Sequence, residues 1–507
     1  MAHRRHVLHR VGAAAAAGLC APWTALRAAT EPVGTGRGPD GSALQADVDL
    51  LAQALRALHP GLQRYLSEAD FQTGVTALGQ AWAASAQARS MAEGQRLRAL
   101  SLSRLLGTLR CGHTYTNFYN QRGAVREALC LAPPRLPLHF DWLDDGAVVT
   151  AAHPSVGALV RPGDRLMALN GEPMATVREA LLPLVRADGH NRFAQLALLA
   201  PGGHDEFETW DVLHPLVYGH SAVFEVQLQA PDGTPRRASL PGLTQAQRLR
   251  MRRGPTAEPS DATPPWPLRW LDDGSAVLTM PGWAMYRTRW DWRAYIETVF
   301  QRLQTAGTPR LVVDLRGNEG GLDCGDELLA RLVRRPLDTR LYERRTRYRQ
   351  VPAALNPHLD TWDNSFRDWG DRVQPVADGF YAFADAGSPA IAPRGTAFSG
   401  PVAVLVDGAN HSATFRFLQL FRRAGRGLLV GSPTGGNQRG INGGSFFFLR
   451  LPASGLEVDL PLVGSFAPPG TPDAGLAPDV AVAATLADVV AGRDAVLQRA
   501  VAALKAG

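Results

Sequence analysis

From Trp270 onward, short apolar runs alternate with amphipathic stretches along the chain. The runs at 310–314 and 402–406 carry consecutive branched apolar residues, which is typical of strands that are buried on both faces. Strands alternating with helices imply a sheet with helical cover, so we predict an α/β domain at 268–500. Within it, residues 335–395 are rich in Trp, Tyr and Arg without regular spacing, and we interpret them as an insertion that could cover a site. The predicted strands are 275–280, 310–314, 402–406 and 428–430, and the predicted helices are 292–306, 326–334 and 412–424.

Helical spacing dominates the first part of the chain. Apolar residues recur at three- and four-residue steps from Val48 to Leu58, before Pro60 and Gly61 interrupt the run. We therefore predict an N-terminal helical domain at 40–130, which delivers His113 on a glycine-containing turn. Two further helical stretches are predicted at 71–84 and 91–109.

Residues 133–243 have the short alternating pattern of a β-rich module. A strand at 147–153, two turns and a helical stretch at 177–185 follow one another closely. The run at 160–171 resembles a PDZ domain, and such domains bind extended peptides or C-terminal carboxylates by adding a strand to a sheet. An ordinary hairpin is the alternative. The Arg-, Pro-, Thr- and Gln-rich residues 244–267 are predicted to form a linker.

The N-terminus has the pattern of an export signal. Arg4, Arg5 and Arg10 precede an apolar stretch at 11–21, and the paired arginines resemble a twin-arginine signal. We predict a signal peptide at 1–29 and a periplasmic or secreted protein, although a basic terminus without this function is the alternative.

Composition excludes some partners. The formal net charge of +6 is modest and no run of five basic residues occurs, so nucleic-acid binding is not expected. No later stretch has 18 uninterrupted apolar residues, so stable membrane insertion is not expected either. Metal-ligand spacing is lacking as well, and we predict neither metal nor cofactor. In an oxidising compartment Cys111 and Cys130 could form a disulfide, and the oligomeric state is left open.

Two strand ends could carry chemistry. The strand at 310–314 runs into a turn containing Gly320 and Gly321, whose backbone amides could cradle an oxyanion or a phosphate. The phosphate alternative lacks the sequence patterns of phosphate-binding loops. Ser412 follows the strand at 402–406 and begins a helix, where the amide of Ala413 would stabilise negative charge. On local sequence alone, Ser412 as a helix cap is the favoured alternative.

The order of these features resembles a known family. A helical domain ending in Gly-His-Thr, a PDZ-like module, Asp-Leu-Arg-Gly-Asn-x-Gly-Gly and Ser-Ala at a helix start are similar to the S41 serine peptidases, which include the tail-specific or C-terminal processing proteases. The resemblance covers roughly 43–500 and implies an α+β multidomain fold with a crotonase-like α/β spiral core. It implies that Ser412 is the nucleophile of an acyl-enzyme. It also implies an oxyanion hole from the amide of Ala413 with that of Gly320 or Gly321.

The general base distinguishes two branches of this family. One branch uses a lysine about 25 residues after the serine, but Asn437 occupies that position and Lys505 is the only lysine in the chain. The other branch, similar to the tricorn proteases, uses a histidine, and His113 matches its position. His411 is a second candidate, although neighbours on one turn tend to point apart. The resemblance therefore favours His113 as the base for Ser412.

The acid that would orient the base is missing from its expected position. In the segment 442–455, a glycine stands where related sequences of the histidine branch carry an acid. Asp323, Asp326 and Glu327 are possible substitutes, although each could equally be a solvated charge at a helix start. We expect an exported serine endopeptidase. The alternatives are a non-catalytic peptide- or lipophile-binding protein on the same scaffold and a hydrolase of other esters or amides.

Overall fold

The structure is a computed structural model that describes residues 39–143, 146–252, 259–260, 262–286, 288–384 and 390–506. The signal peptide predicted at 1–29 lies outside the described residues. Within them, no helix is both long and apolar enough to cross a membrane.

Helices form the N-terminal part, close to the bounds that periodicity predicts. The first three begin at side-chain caps from Asp40, Ser67 and Ser90, which satisfy amides of each first turn. A π-helical turn at Glu127–Leu131 follows the fourth helix. The helices are α1 (Gly41–Leu58), α2 (Glu68–Ser85), α3 (Met91–Thr108) and α4 (Gly123–Arg126).

An antiparallel sheet follows, in the strand order β1-β2-β3-β5-β6 with β4 paired to β3. The predicted strand at 147–153 and the predicted helical stretch at 177–185 are present, whereas the two helices at Arg192–Leu199 and Thr209–Tyr218 were not predicted. The strands are β1 (Leu138–Leu143), β2 (Gly146–Ala152), β3 (Arg165–Leu169), β4 (Glu172–Pro173), β5 (Val223–Gln229) and β6 (Pro235–Pro241). The helices are α5 (Met174–Leu181), α6 (Arg192–Leu199), α7 (Thr209–Tyr218) and α8 (Gln245–Leu249).

The prediction of a linker at 244–267 is wrong for the part that the structure describes. Thr244 and Gln247 form a capping box at the start of α8. Arg248 in this helix is buried and forms an ion pair of 2.9 Å with Asp211. Trp266 is fully buried in the core of the next domain. These residues pack against folded structure because they carry large apolar groups and a buried ion pair, which composition alone did not reveal.

The remaining chain builds two sheets. Its strands are β7 (Leu268–Trp270), β8 (Ala276–Thr279), β9 (Leu311–Asp314), β10 (Glu343–Thr346), β11 (Leu359–Asp360), β12 (Val373–Pro375), β13 (Tyr381–Phe383), β14 (Val402–Val406), β15 (Leu428–Gly431), β16 (Asn442–Arg450), β17 (Glu457–Phe466) and β18 (Val480–Ala481). Its helices are α9 (Trp292–Thr305), α10 (Cys324–Leu332), α11 (Ser412–Arg423), α12 (Leu486–Ala491) and α13 (Ala495–Ala506).

The first of these sheets is parallel except for its edge strand β7, in the order β18-β15-β14-β9-β8-β7. One face is buried against α9, α10 and α11, and the other packs on α13. Burial on both faces explains the uninterrupted apolar runs of β9 and β14. The turns that leave β9 and β14 lie side by side at one edge of this sheet, because these strands are parallel neighbours.

The second sheet is antiparallel, in the order β11-β16-β17-β10-β13-β12. Four of its six strands come from residues 335–395, the segment interpreted as an insertion. Tyr348 and Trp369 of this segment are buried in the core that also holds α1–α3. Residues 335–395 are therefore an integral part of the fold rather than an added cover.

The three cysteines in the described residues have free thiols. Cys111, Cys130 and Cys324 are all buried, and none forms a disulfide. The pairing of Cys111 with Cys130 that the sequence left open is absent from this structure.

A buried carboxylate joins the helical part to the antiparallel sheet. Asp47 in α1 is 2% exposed and accepts hydrogen bonds from the amides of Ala453 (3.1 Å) and Ser454 (2.7 Å) in the β16–β17 loop. We expect Asp47→Ala to lower the free energy of unfolding by about 1–3 kcal/mol, because both amides lose a buried acceptor. Urea unfolding measures this change.

The exposed Asp49 of the same helix is the control. Its side chain accepts only from Gln45 in the described part, so Asp49→Ala should change the unfolding midpoint little. Equal destabilisation by the two variants would contradict the assigned role of Asp47.

Candidate active site

Ser412 begins α11 in an unusual backbone conformation. Its φ is +52°, one of four positive values among the non-glycine residues that the structure describes. The cap of α11 is His411, which makes no side-chain capping hydrogen bond. Ser412 is therefore not the cap, in contrast to the alternative favoured by local sequence. A left-handed serine costs roughly 1–2 kcal/mol, so surrounding contacts must hold it in place.

The carboxamide of Asn318 provides the first of these contacts. Its Nδ2 donates to the carbonyl of Met280 at 2.8 Å. Its Oδ1 accepts from the Gly320 amide at 2.9 Å and from Thr414 Oγ1 at 2.7 Å. Because Asn318 is fully buried, it locks the turn after β9 to the first turn of α11.

Asn410 provides the second contact. Its Nδ2 donates to the carbonyl of Leu315 at 2.6 Å. Its backbone carbonyl accepts from the amides of Gly435 and Gly436, each at 3.0 Å. The turns that follow β9, β14 and β15 are thus joined through the side chain and the backbone carbonyl of one buried residue, two residues before Ser412.

Two amides lie where an oxyanion could be bound. A Cβ atom added at Gly320 would lie 2.9 Å from the Ala413 nitrogen, so the two turns are in contact. Ala413 is in the first turn of α11, where amides lack intrahelical acceptors. The Gly320 amide already donates to Asn318. Gly321, at φ +134°, has no such bond from its own N–H within the described chain, so it is the better second donor of the two predicted glycines.

His113 lies on the opposite wall of this site and is 4% exposed. Its ring centre is 6.1 Å from that of His411 and 5.9 Å from that of Phe446. A Cβ atom added at Gly443 would lie 3.7 Å from its Cε1. Among the described residues, Nδ1 of His113 has no hydrogen-bond partner, and no hydrogen bond joins its ring to Ser412.

The turn that carries His113 is held by hydrogen bonds to both the amide and the carbonyl of Gly112. The Gly112 amide donates to Asp188 Oδ1 at 2.9 Å, and the Gly112 carbonyl accepts from Arg186 Nη1 at 3.1 Å. Both Asp188 and Arg186 lie between α5 and α6, in the second domain. Burial raises the pKa of Asp188 to about 6.

A relay of hydrogen bonds supports the same turn from α1. The amide of Gly61 donates to His59 Nδ1 at 3.1 Å, which places the proton of this buried ring on Nε2. Nε2 then donates to Thr114 Oγ1 at 2.9 Å, and Thr114 donates to Cys111 Sγ at 3.2 Å. This arrangement explains the His-Pro-Gly run near the start of the chain.

Sequence reasoning missed Arg186 and Glu319. Arg186 Nη2 donates to Glu319 Oε2 at 2.6 Å, and its Nη1 lies 3.1 Å from His411 Nε2. Burial alone would raise the pKa of Glu319, but Arg186 and His411 bring it below its ordinary value. Glu319 is the variable position of the glycine-rich motif, and Arg186 lies in another domain, so no local signal marked either residue.

His411 is already engaged by these neighbours. Its Nε2 faces Arg186, which can only donate, and lies 3.5 Å from Glu319. Burial lowers the pKa of His411 to about 4 although Glu319 acts in the opposite direction. Nε2 of His411 is thus engaged by Arg186 and Glu319, and a backbone hydrogen bond at Ala409 also holds the ring, which leaves His113 as the candidate base.

The acids considered as orienting groups bind arginines. Arg416 lies 2.6 Å from Asp326 and 3.6 Å from Asp323. Glu327 forms ion pairs with Arg331 at 3.0 Å and with Arg394. None of the three contacts a histidine in the described structure, so their proposed role beside His113 has no geometric support.

Asn437, at the position of the lysine base, and Lys505, the only lysine, both bind other residues. Asn437 Nδ2 donates to the carbonyl of Asp188 at 3.1 Å and to Asp473 at 2.5 Å. Lys505 in α13 forms an ion pair of 2.7 Å with Asp273. Within the described ranges, no group of His, Cys, Asp and Glu residues could hold a metal ion.

Comparisons with known proteins agree with this architecture. No curated protein sequence matches the chain. The solved structure of mature CPAF complexed with lactacystin matches with a TM-score of 0.58 at 15% identity, over 92% of this chain and 98% of that one. A CPAF mutant matches with a TM-score of 0.59 at 16% identity, over 89% of this chain and 94% of that one. The chain therefore shares the multidomain α/β fold of CPAF.

A match to a protein family covers the turns after β9 and β14. Residues 274–482 match the family described as Peptidase family S41. This part of the chain is therefore similar to the domain of the S41 serine peptidases. It contains Ser412, Ala413 and both glycines, whereas His113 lies outside the matched residues.

Burial of His113 has a measurable consequence. Burial, with His411 and Arg186, lowers the pKa of His113 to about 3, so its ring is neutral at neutral pH and can accept a proton. We expect its imidazole NMR signal, identified by its loss in His113→Gln, to stay unshifted between pH 5 and pH 8. A midpoint near the ordinary value of about 6.5 would show that the ring is solvated instead.

Proposed function

We propose that this chain is an exported serine endopeptidase in which Ser412 is the nucleophile and His113 the general base. The observation that carries the proposal is the φ of +52° at Ser412, at a helix start where the Ala413 amide and the turn at Gly320 are in contact. Such strain clusters at functional sites, because a catalytic serine must project from its turn.

The proposed reaction follows from these positions. Ser412 Oγ attacks the carbonyl carbon of a peptide bond while neutral His113 takes the hydroxyl proton. The carbonyl oxygen becomes negative and is stabilised by the two amides and by the dipole of α11. His113 returns the proton to the leaving amine, and water then releases the acyl group by the same route.

In this scheme His113 acts without a carboxylate that accepts a hydrogen bond from its Nδ1. Its Nδ1 is buried and without a partner in the described structure, and Gly443, which lies against the ring, has no side chain that could accept from it. Because no acceptor stabilises Nδ1–H when the ring is protonated, Nε2 is a weaker base. Turnover should therefore be slow compared with that of a complete triad. The same observation favours a second candidate function, a non-catalytic peptide- or lipophile-binding protein.

We propose that the antiparallel module at 133–243 is PDZ-like and binds extended or C-terminal segments of the substrate. Strand β6 ends the sheet, and its residues are mostly exposed or half-buried. An edge strand of this kind can pair with an added peptide strand. The PDZ-like run at 160–171 and this edge support the proposal.

We propose export through a signal peptide at 1–29, which places the site in the periplasm or outside the cell. The basic residues and apolar stretch of the N-terminus support it. Intact mass measurement of the protein from a periplasmic fraction checks this: the mature chain should lack these residues, and a full-length cytoplasmic product would contradict export.

A fluorophosphonate probe separates the two candidate functions. We expect wild-type protein to be labelled at Ser412 and to cleave unfolded casein. Ser412→Ala should abolish labelling and lower cleavage by about 10³-fold or more, because the nucleophile is lost. His113→Gln should lower both by about 10²–10⁴-fold, because the serine is no longer activated.

The matched controls are the exposed Ser155 and His190. Ser155→Ala and His190→Gln should keep full labelling, since both lie outside the site. Cleavage that survives in Ser412→Ala would refute the nucleophile. A wild-type protein that folds but neither reacts nor cleaves would favour the binding protein.

A further inference from the structure

Register places one arginine of the antiparallel sheet on the same face as His113. Arg344 of β10 is opposite Ser465 of β17, and Val463 of β17 is opposite Gly443 of β16. Ser465 and Val463 are two residues apart, so their side chains leave the same face of the sheet. Arg344 therefore shares a face with Gly443, against which the ring of His113 lies.

Arg344 lacks an acidic partner. It is half-buried, and within the described residues its guanidinium forms neither an ion pair nor a hydrogen bond. Its guanidinium lies 5.0 Å from the ring centre of Phe383 on the neighbouring strand, which holds it in position. Burial lowers the pKa of Arg344, and the nearby Arg416 acts in the same direction. A partly buried guanidinium without a carboxylate is costly, and a ligand could supply the missing charge.

A contact of the preceding residues places this part of β10 beside the nucleophile helix, because Gln419 Nε2 of α11 donates to the hydroxyl of Tyr342, two residues before Arg344. Arg416, one helical turn beyond Ser412, lowers the pKa of Arg344, whereas Asp323 raises it. The carboxylates of Asp323 and Asp326 are closest to Arg416, at 3.6 and 2.6 Å. Local acids therefore neutralise Arg416 and leave Arg344 without a direct contact.

We propose that Arg344 binds a carboxylate of the polypeptide substrate, and this rests on the proposed peptidase function. Two strand spacings and a two-residue offset place its Cα about 12 Å from that of Gly443. An extended peptide rises about 3.3 Å per residue, so the carboxylate would lie two to four residues from the scissile bond. It belongs either to an Asp or Glu side chain or to the free C-terminus of the substrate.

Cleavage-site profiling of a proteome-derived peptide library tests this proposal, with free and amidated C-termini compared. We expect wild-type protein to prefer a carboxylate two to four residues from the cleaved bond by about tenfold, the effect of one charged hydrogen bond. Preference for internal acidic residues identifies the side chain, and loss of cleavage on amidation identifies the C-terminus. Arg344→Gln should remove the preference, Arg344→Lys should keep part of it, and fluorophosphonate labelling of Ser412 should stay unchanged in both.

Arg347 provides the matched control, because its guanidinium also lies over an aromatic ring, 4.6 Å from the centre of Phe380. Arg347→Gln should keep the wild-type preference. Cleavage by wild-type protein without a carboxylate preference would overturn this proposal alone, as would an unchanged preference in folded Arg344→Gln. Absence of any cleavage or labelling by wild-type protein would overturn the proposed function and this proposal together.

Discussion

Two buried carboxamides hold the strained serine on which the site depends. Asn318 and Asn410 connect the turns after β9, β14 and β15, with bonds to residues on both sides of Ser412, whose φ is +52°. Apolar packing of a parallel sheet brings these turns together but does not set the direction of a side chain. Hydrogen bonds from fully buried groups set that direction. Leaving a buried carboxamide without hydrogen bonds would cost more free energy than the backbone strain at Ser412.

The base comes from a different part of the chain, and its placement needs the segment between α5 and α6. Arg186 contacts the carbonyl of Gly112, the ring of His411 and the carboxylate of Glu319 at once. This single guanidinium therefore connects the turn of His113 to the turns of the parallel sheet. Asp188 adds a second contact to the same turn. Movement of the His113 turn relative to the parallel sheet would change the separation of His113 and Ser412. The proposed proton transfer therefore depends on these contacts.

Much of this arrangement could be predicted from sequence, and the failures have physical causes. Apolar periodicity located α1–α3, and branched apolar runs located β9 and β14, because burial dictates both patterns. Residues 335–395 escaped prediction because short strands with basic side chains pack through aromatic residues such as Tyr348 and Trp369. Arg186 and Glu319 escaped because their contacts join positions 133 residues apart. Ser412 looked like a cap locally, and only the tertiary hydrogen bonds distinguish the two conformations.

The most direct measurement is a crystal structure of the protein after reaction with a peptidyl phosphonate. We expect a covalent bond from Ser412 Oγ to phosphorus, with one phosphoryl oxygen about 3 Å from the amide nitrogens of Ala413 and Gly321. We also expect His113 Nε2 within hydrogen-bond distance of Ser412 Oγ. A phosphonate attached to another residue, or an oxygen directed away from both amides, would contradict these expectations.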